Sequence, residues 1–109
     1  MANGSHSRLL SEPDIDRQLK LLHKRERRLI LQALLHREGV TDVSAVVEDD
    51  RTETLLTYEH SHLPELASAG YIQWHRETGE VSRGPRFDDV APLIELLEEN
   101  AAELPVEWP

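Results

Sequence analysis

Apolar residues in the first third of the chain recur at helical spacing. Ile15, Leu19 and Leu22 fall at i, i+4 and i+7, on one face of a helix for which Asp14 is a suitable N-cap. A second helix is predicted over roughly residues 25–37, and Gly39 ends it. Its predicted buried residues are Leu29, Ile30, Ala33 and Leu34.

The middle of the chain holds the clearest helical pattern. After a short valine-bearing amphipathic segment over residues 42–48, a longer helix is predicted over 51–70, and Gly70 is its expected C′ residue. Pro64 removes one intrahelical hydrogen bond, so a kink or break is expected there. At 100° per residue one arc holds Leu55, Leu56, Leu63, Leu66 and Ala67, and the opposite arc holds Thr54, Thr57, Tyr58, Ser61 and Glu65. Glu59 falls inside the apolar arc, where a carboxylate needs a partner, and an arginine of the second helix is the expected one.

After Gly70 the period of the pattern changes to two. Residues 71–75 alternate, residues 77–79 carry a turn signal, and residues 80–82 can return as a second strand, which predicts one hairpin ended by Gly84 and Pro85. A last helix is predicted from about Asp88 to Glu103. The fold class expected from these elements is mainly α with a small β-hairpin.

Composition narrows the class of protein. The chain has 109 residues, 21 Asp plus Glu against 12 Lys plus Arg, a formal charge of −9 and no cysteine. The absence of cysteine excludes a disulfide scaffold, a thiolate metal site and a cysteine nucleophile. No apolar run is long enough for a membrane span, and the N-terminus lacks a signal peptide, so a soluble cytoplasmic protein is expected. Only Lys20 and Lys24 are lysines, and this bias, with the excess of carboxylates, is typical of a high-salt cytoplasm.

One run of residues resembles a known family. His62-Leu63-Pro64-Glu65-Leu66-Ala67-Ser68-Ala69-Gly70-Tyr71-Ile72 is similar to the H-L-x-x-L-x-x-A-G-[LY]-[IV] run of ArsR- and MarR-like regulators, and the whole layout resembles small winged-helix proteins of haloarchaea. The resemblance implies a winged helix-turn-helix fold over residues 14–87 with an added C-terminal helix over 88–104. Residues 1–13 are then a flexible arm and residues 105–109 a tail.

The same resemblance implies a homodimeric, sequence-specific transcriptional regulator that binds double-stranded DNA. In molar salt counterion release contributes little, so hydroxyl groups and short-range contacts have to carry recognition. The expected DNA-binding residues are Arg51, Thr54, Thr57, Tyr58 and Ser61 on the helix and Arg76, Arg83 and Arg86 at the hairpin. The alternatives are a merely solvated helix face and hairpin arginines that pair with Glu77 or Glu80. For Arg25, Arg27 and Arg28 an internal ion pair is favoured over a phosphate contact.

The last helix predicts a dimer interface. Its apolar positions form a heptad-like seam, and packing back against the first helix of the same chain is the alternative. The expected interface residues are Val90, Leu93, Ile94, Leu97, Ala101 and Leu104. Because the charge is −9 and the predicted recognition helix holds Glu53, Glu59 and Glu65, the alternative function is a winged-helix protein–protein interaction module without DNA binding.

No catalytic constellation accompanies these features. His60 and His62 point about 200° apart on a regular helix, so only an unwound segment before Pro64 would let them chelate one ion. No metal and no cofactor are expected, and His62 is expected to be packed or hydrogen-bonded to the backbone. Without a paired-carboxylate cleft, nucleophile elbow or phosphate loop, we expect no enzyme activity.

Overall fold

Helices and a small antiparallel sheet pack around residues of the second helix. The computed structural model describes residues 15–37, 39–47, 52–104 and 108–109. Helix α1 spans Ile15–Leu22, α2 Arg25–His36, α3 Val43–Val47, α4 Thr52–Thr57, α5 Leu63–Ser68 and α6 Phe87–Glu99. A π-helical turn, Tyr58–His62, joins α4 to α5, and a 3-10 turn, Ala101–Glu103, follows α6.

The sheet has three short antiparallel strands. Strands β2 (Ile72–His75) and β3 (Glu80–Arg83) form the predicted hairpin, with Trp74 opposite Val81. Strand β1 (Thr41–Asp42) pairs with the other edge of β3, so the order is β1-β3-β2. A two-residue strand carries no alternation, and sequence reasoning missed it. The prediction of a mainly helical fold with a small hairpin is confirmed.

The core lies where α2 meets the 52–68 helical segment, the sheet and α6. The side chains of Ile30, Leu31 and Leu34 are fully buried, and burying one such side chain contributes roughly 1.5–3 kcal/mol. Leu29 and Ala33, predicted to be buried, are only half-buried. In α1 the buried face is Gln18, Leu21 and Leu22, whereas Ile15 and Leu19 are 54% and 52% exposed. The face predicted from the spacing of Ile15, Leu19 and Leu22 is therefore wrong, because the buried face of α1 is rotated from it by part of a turn.

The exit from the hairpin packs directly on the Ala-Gly end of α5. The Gly84 N–H donates to the Tyr71 carbonyl at 2.9 Å, and the Arg86 N–H donates to the Gly70 carbonyl at 2.7 Å. A Cβ on Gly84 would lie 2.7 Å from the Ile72 nitrogen, so only glycine fits this approach. The junction fixes where α6 begins relative to the hairpin.

Candidate nucleic-acid interface

The 52–68 segment changes its helical register before Pro64. Proline has no N–H to donate to the His60 carbonyl, and its ring would crowd that carbonyl in a regular helix. The chain instead forms a π turn, closed by the Leu63 N–H donating to the Tyr58 carbonyl. The expected disturbance at Pro64 is confirmed. Because the wider turn takes one extra residue, the two halves of the segment present faces that a single helical wheel does not predict.

This register shift corrects three of the predicted positions. Tyr58, expected on the polar outer face, is 2% exposed, and Leu56, expected on the apolar arc, is 44% exposed. Glu59, expected to be buried beside an arginine, is exposed. The outer face near the middle of the segment thus consists of Leu56, Thr57, Glu59, His60 and the half-buried Ser61.

Tyr58 packs in the interior of the protein. Its ring meets the His62 ring edge-on with centroids 5.3 Å apart. Burial, and next the negative charge of Glu26, raise the pKa of the Tyr58 hydroxyl to about 12. As an interior residue it is removed from the set of side chains that can contact DNA.

His62 joins the segment to α2. It is 5% exposed, which confirms that it is packed, and its Nδ1 accepts a hydrogen bond from Arg27 Nε at 3.2 Å. Burial is the main reason that the pKa of His62 is lowered, and the nearby Arg27 charge lowers it further against the raising effect of Glu26. Arg27 itself is 9% exposed. The expected carboxylate partner of this arginine is replaced by a neutral imidazole.

Of the other predicted DNA-binding residues on the helix, two have described side chains and two do not. Thr57 is exposed and Ser61 is half-buried, one helical turn apart on the outer face. Arg51 and the side chain of Thr54 lie outside the described residues.

At the hairpin, only Arg76 has the expected placement. It is exposed in the turn between β2 and β3, and its guanidinium carbon lies 4.7 Å from the centre of the Trp74 ring. Stacking of this kind holds the charge near the tip of the hairpin without neutralising it.

Arg83 is a structural cap and not an outward-facing cation. Its Nε donates to the Leu34 carbonyl at 2.9 Å and its Nη2 to the Leu35 carbonyl at 3.0 Å, and it stacks over the Phe87 ring at 4.9 Å. A cation bonded to the last carbonyls of α2 complements the negative end of that helix. The prediction of Arg83 as a DNA contact is corrected because two of its N–H donors bond these carbonyls and its guanidinium is held over the Phe87 ring.

Arg86 likewise turns toward its own chain. Its Nε donates to Asp89 Oδ2 at 2.8 Å, an i, i+3 ion pair in the first turn of α6. Arg86 was predicted to contact DNA, with pairing to Glu77 or Glu80 as the alternative; the observed pair with Asp89 at the start of α6 is neither, and it leaves Arg86 poorly suited to hold a phosphate.

Part of the predicted dimer interface on α6 is buried in the core of the single chain. Val90 and Ile94 are fully buried within the single chain, so their assignment to a dimer surface is wrong. Leu93, Leu97, Ala101 and Leu104 are half-buried, and Leu96, which was not predicted, is 57% exposed. The heptad spacing identified the inward face of α6, and the adjacent outward position carries the exposed leucine.

The described residues offer no sign of metal or membrane chemistry. Within them, no three His, Asp or Glu side chains gather closely enough to hold a metal ion. Among the helices of the described ranges, none combines the length and apolar character that a bilayer crossing requires. No protein-family model, curated protein or solved structure matches this chain.

Proposed function

We propose that this protein is a winged helix-turn-helix regulator that binds a specific double-stranded DNA site as a homodimer in a high-salt cytoplasm. The observation that supports it most is the element order: α2, β1, α3, the 52–68 segment, then a hairpin whose outer partner is β1. In this arrangement the 52–68 segment is the second helix of a helix-turn-helix and the hairpin is the wing. Of the predicted cations, Arg76 at the tip of the wing is the one that remains outward-facing in the described part of the chain.

Recognition then rests on short-range contacts. Thr57 and Ser61 carry hydroxyl groups that donate to phosphates or bond to base edges, and the Thr57 methyl group suits a thymine methyl. His60 adds a ring donor on the same outer face. At molar salt these contacts are less weakened than lysine–phosphate pairs, because counterion release contributes little there.

The DNA proposal is tested on selected genomic fragments at about 1 M KCl, where the Debye length is about 3 Å. Wild type is expected to retain a defined set of fragments, and the double variant Thr57→Glu/Ser61→Glu to retain none, with a nearly unchanged melting temperature. Ser68→Glu, an exposed change at the end of α5, is the matched control and is expected to bind like wild type. If wild type shows no preference over random DNA, the regulator proposal is wrong.

The homodimer is proposed to use exposed apolar residues of α1 and α6. Gln18 of α1 donates to the Asp89 carbonyl of α6 at 2.9 Å, so the two helices touch. Ile15, Leu19 and Leu96 each expose about half of their surface, so each is accessible to a partner. Leu19→Glu and Leu96→Glu are expected to give monomers in sedimentation equilibrium, and Glu95→Gln dimers. A wild-type monomer at every concentration would contradict this.

A second candidate function is docking of another protein on the 52–68 segment. It is favoured by Leu56, an exposed leucine on a segment that also exposes the carboxylates Glu59 and Glu65. A photo-crosslinking residue at position 60 in host cells distinguishes the two candidates. It captures DNA under the first, and under the second a single polypeptide that Leu56→Asp abolishes.

A further inference from the structure

A cavity of about 350 Å³ lies between α1, α2 and α5, away from the hairpin. Its floor is formed by the buried Leu21 and Arg27, and its rim by exposed polar side chains. The rim residues are Arg17, Lys20, His23 and Glu65. Its volume is at the lower end of the range found for small-molecule sites.

The charge of this cavity is opposite to that of the protein. Three permanent cations, Arg17, Lys20 and Arg27, face one carboxylate, Glu65, in a chain whose formal charge is −9. Among the described residues none of the three cations forms an ion pair within 4.0 Å. An acidic protein that gathers three cations around one opening creates a local field that attracts anions.

The buried guanidinium of Arg27 is the strongest element of the cavity. Only about a tenth of the residue is exposed, and its hydrogen bond within the described residues runs from Nε to His62 Nδ1. An acceptor nitrogen does not neutralise a guanidinium charge, and Arg27 forms no ion pair within 4.0 Å among the described residues. The two Nη groups, which form the planar fork that recognises oxyanions, have no protein acceptor in the described part of the chain.

We propose that this cavity binds a small oxyanion ligand, a phosphate ester or a polycarboxylate. The Nη groups of Arg27 bind two ligand oxygens, and Lys20 and Arg17 bind the outer charge at the rim. Leu21 provides an apolar contact beneath, and Glu65 excludes ligands that crowd its side of the opening. The proposal stands on α1 and α2 and does not depend on DNA binding.

Isothermal titration with inorganic phosphate and with citrate, at constant ionic strength set with KCl, tests the site. We expect saturable one-to-one binding of at least one anion. Phosphate alone indicates a phosphate ester, and citrate alone a polycarboxylate. Lys20→Gln and Arg17→Gln, which change exposed residues, are expected to weaken binding about tenfold each, the effect of losing one charged hydrogen bond. Arg37→Gln, at the other end of α2, is the matched control and should bind like wild type.

A second measurement reads Arg27 directly without depending on a variant of a buried residue. The Nε–H resonance of Arg27 in NMR is expected to shift with the same saturation curve as the calorimetric heat. The proposal is overturned if neither anion saturates. It is also overturned if Arg37→Gln weakens binding as much as Lys20→Gln, or if the Arg27 resonance stays unmoved while heat is released.

Discussion

His62 connects the stability of the protein to pH at the scale of one residue. Burial lowers its pKa below the ordinary value of 6.5, so the folded protein holds the imidazole neutral, and Nδ1 stays an acceptor for Arg27. The unfolded chain binds a proton at a higher pH than the folded protein does. The stabilisation by neutral His62 is therefore complete above about pH 6.5 and is lost as the pH falls toward the lower folded pKa.

We expect the urea midpoint of unfolding to fall between about pH 7.5 and about pH 5.5, on either side of the ordinary histidine pKa. His62→Gln, whose amide oxygen can still accept from Arg27, should show a flatter pH dependence. His60→Gln removes an exposed imidazole from the same segment and serves as the matched control. An equally steep dependence in His62→Gln would show that another group is responsible.

Gly84 is a position at which one added carbon atom is expected to destabilise the fold. Gly84→Ala places a Cβ 2.7 Å from the Ile72 nitrogen and 2.9 Å from the Ile72 carbonyl carbon, both of them backbone atoms. We expect a loss of about 3 kcal/mol in the free energy of unfolding, because the strand has to move. Gly79→Ala, with φ of +77° and open space around its Cβ, should cost about 1–2 kcal/mol from the backbone conformation alone. Equal losses in chemical denaturation would contradict the clash.

At the scale of elements, the C-terminal end of α2 depends on a side chain that is distant in sequence. Arg83 lies on β3 and supplies two hydrogen bonds to the carbonyls of Leu34 and Leu35. Arg83→Met keeps most of the aliphatic stem and removes both donors. We expect the free energy of unfolding to fall by about 2 kcal/mol, at roughly 1 kcal/mol for each bond. Arg76→Met is the control, and as a surface change it should stay within about 0.5 kcal/mol of wild type. If Arg83→Met is as stable as Arg76→Met, the cap is not a structural requirement.

Elements that depend on local chemistry could be predicted from the sequence. The second helix, the disturbance at Pro64, the turn before Glu80 and the end of α5 at Gly70 each follow from neighbouring residue types. The phase of the 52–68 segment could not be predicted, because a π turn adds a residue without leaving a mark in the apolar pattern. Tyr58 and Glu59 were misplaced for this reason.

The candidate site was harder to predict than the fold. The sequence shows that Arg76, Arg83 and Arg86 are cations near a hairpin, but their partners are set by tertiary contacts. Arg83 reaches carbonyls 48 and 49 positions earlier in the chain. The pairing of Arg27 with His62 is equally non-local, and it spans 35 positions. Residue type predicts charge, whereas only the fold decides whether that charge remains available to a ligand.

At the scale of the whole molecule, the charge of −9 on 109 residues opposes compaction when salt is low. Raising KCl from about 0.1 M to about 1 M shortens the Debye length from about 10 Å to about 3 Å. We therefore expect the midpoint of thermal unfolding to rise with KCl. The double variant Glu95→Gln/Glu99→Gln removes two exposed charges from α6 and should show a higher midpoint at low salt and a smaller gain. An unchanged salt response in this variant would count against self-repulsion.

The junction around Gly84 has a consequence for how the molecule opens. The amide protons of Gly84 and Arg86 are bonded to the carbonyls of Tyr71 and Gly70, so these bonds join the connection between β3 and α6 to the connection between α5 and β2, and we expect them to break only when that junction opens. Their exchange with deuterium should therefore follow global unfolding, whereas the amides of the turn at 76–79 exchange through local fluctuations. The base of the hairpin is therefore held in place by the glycine contact, whereas its tip remains free to change conformation locally.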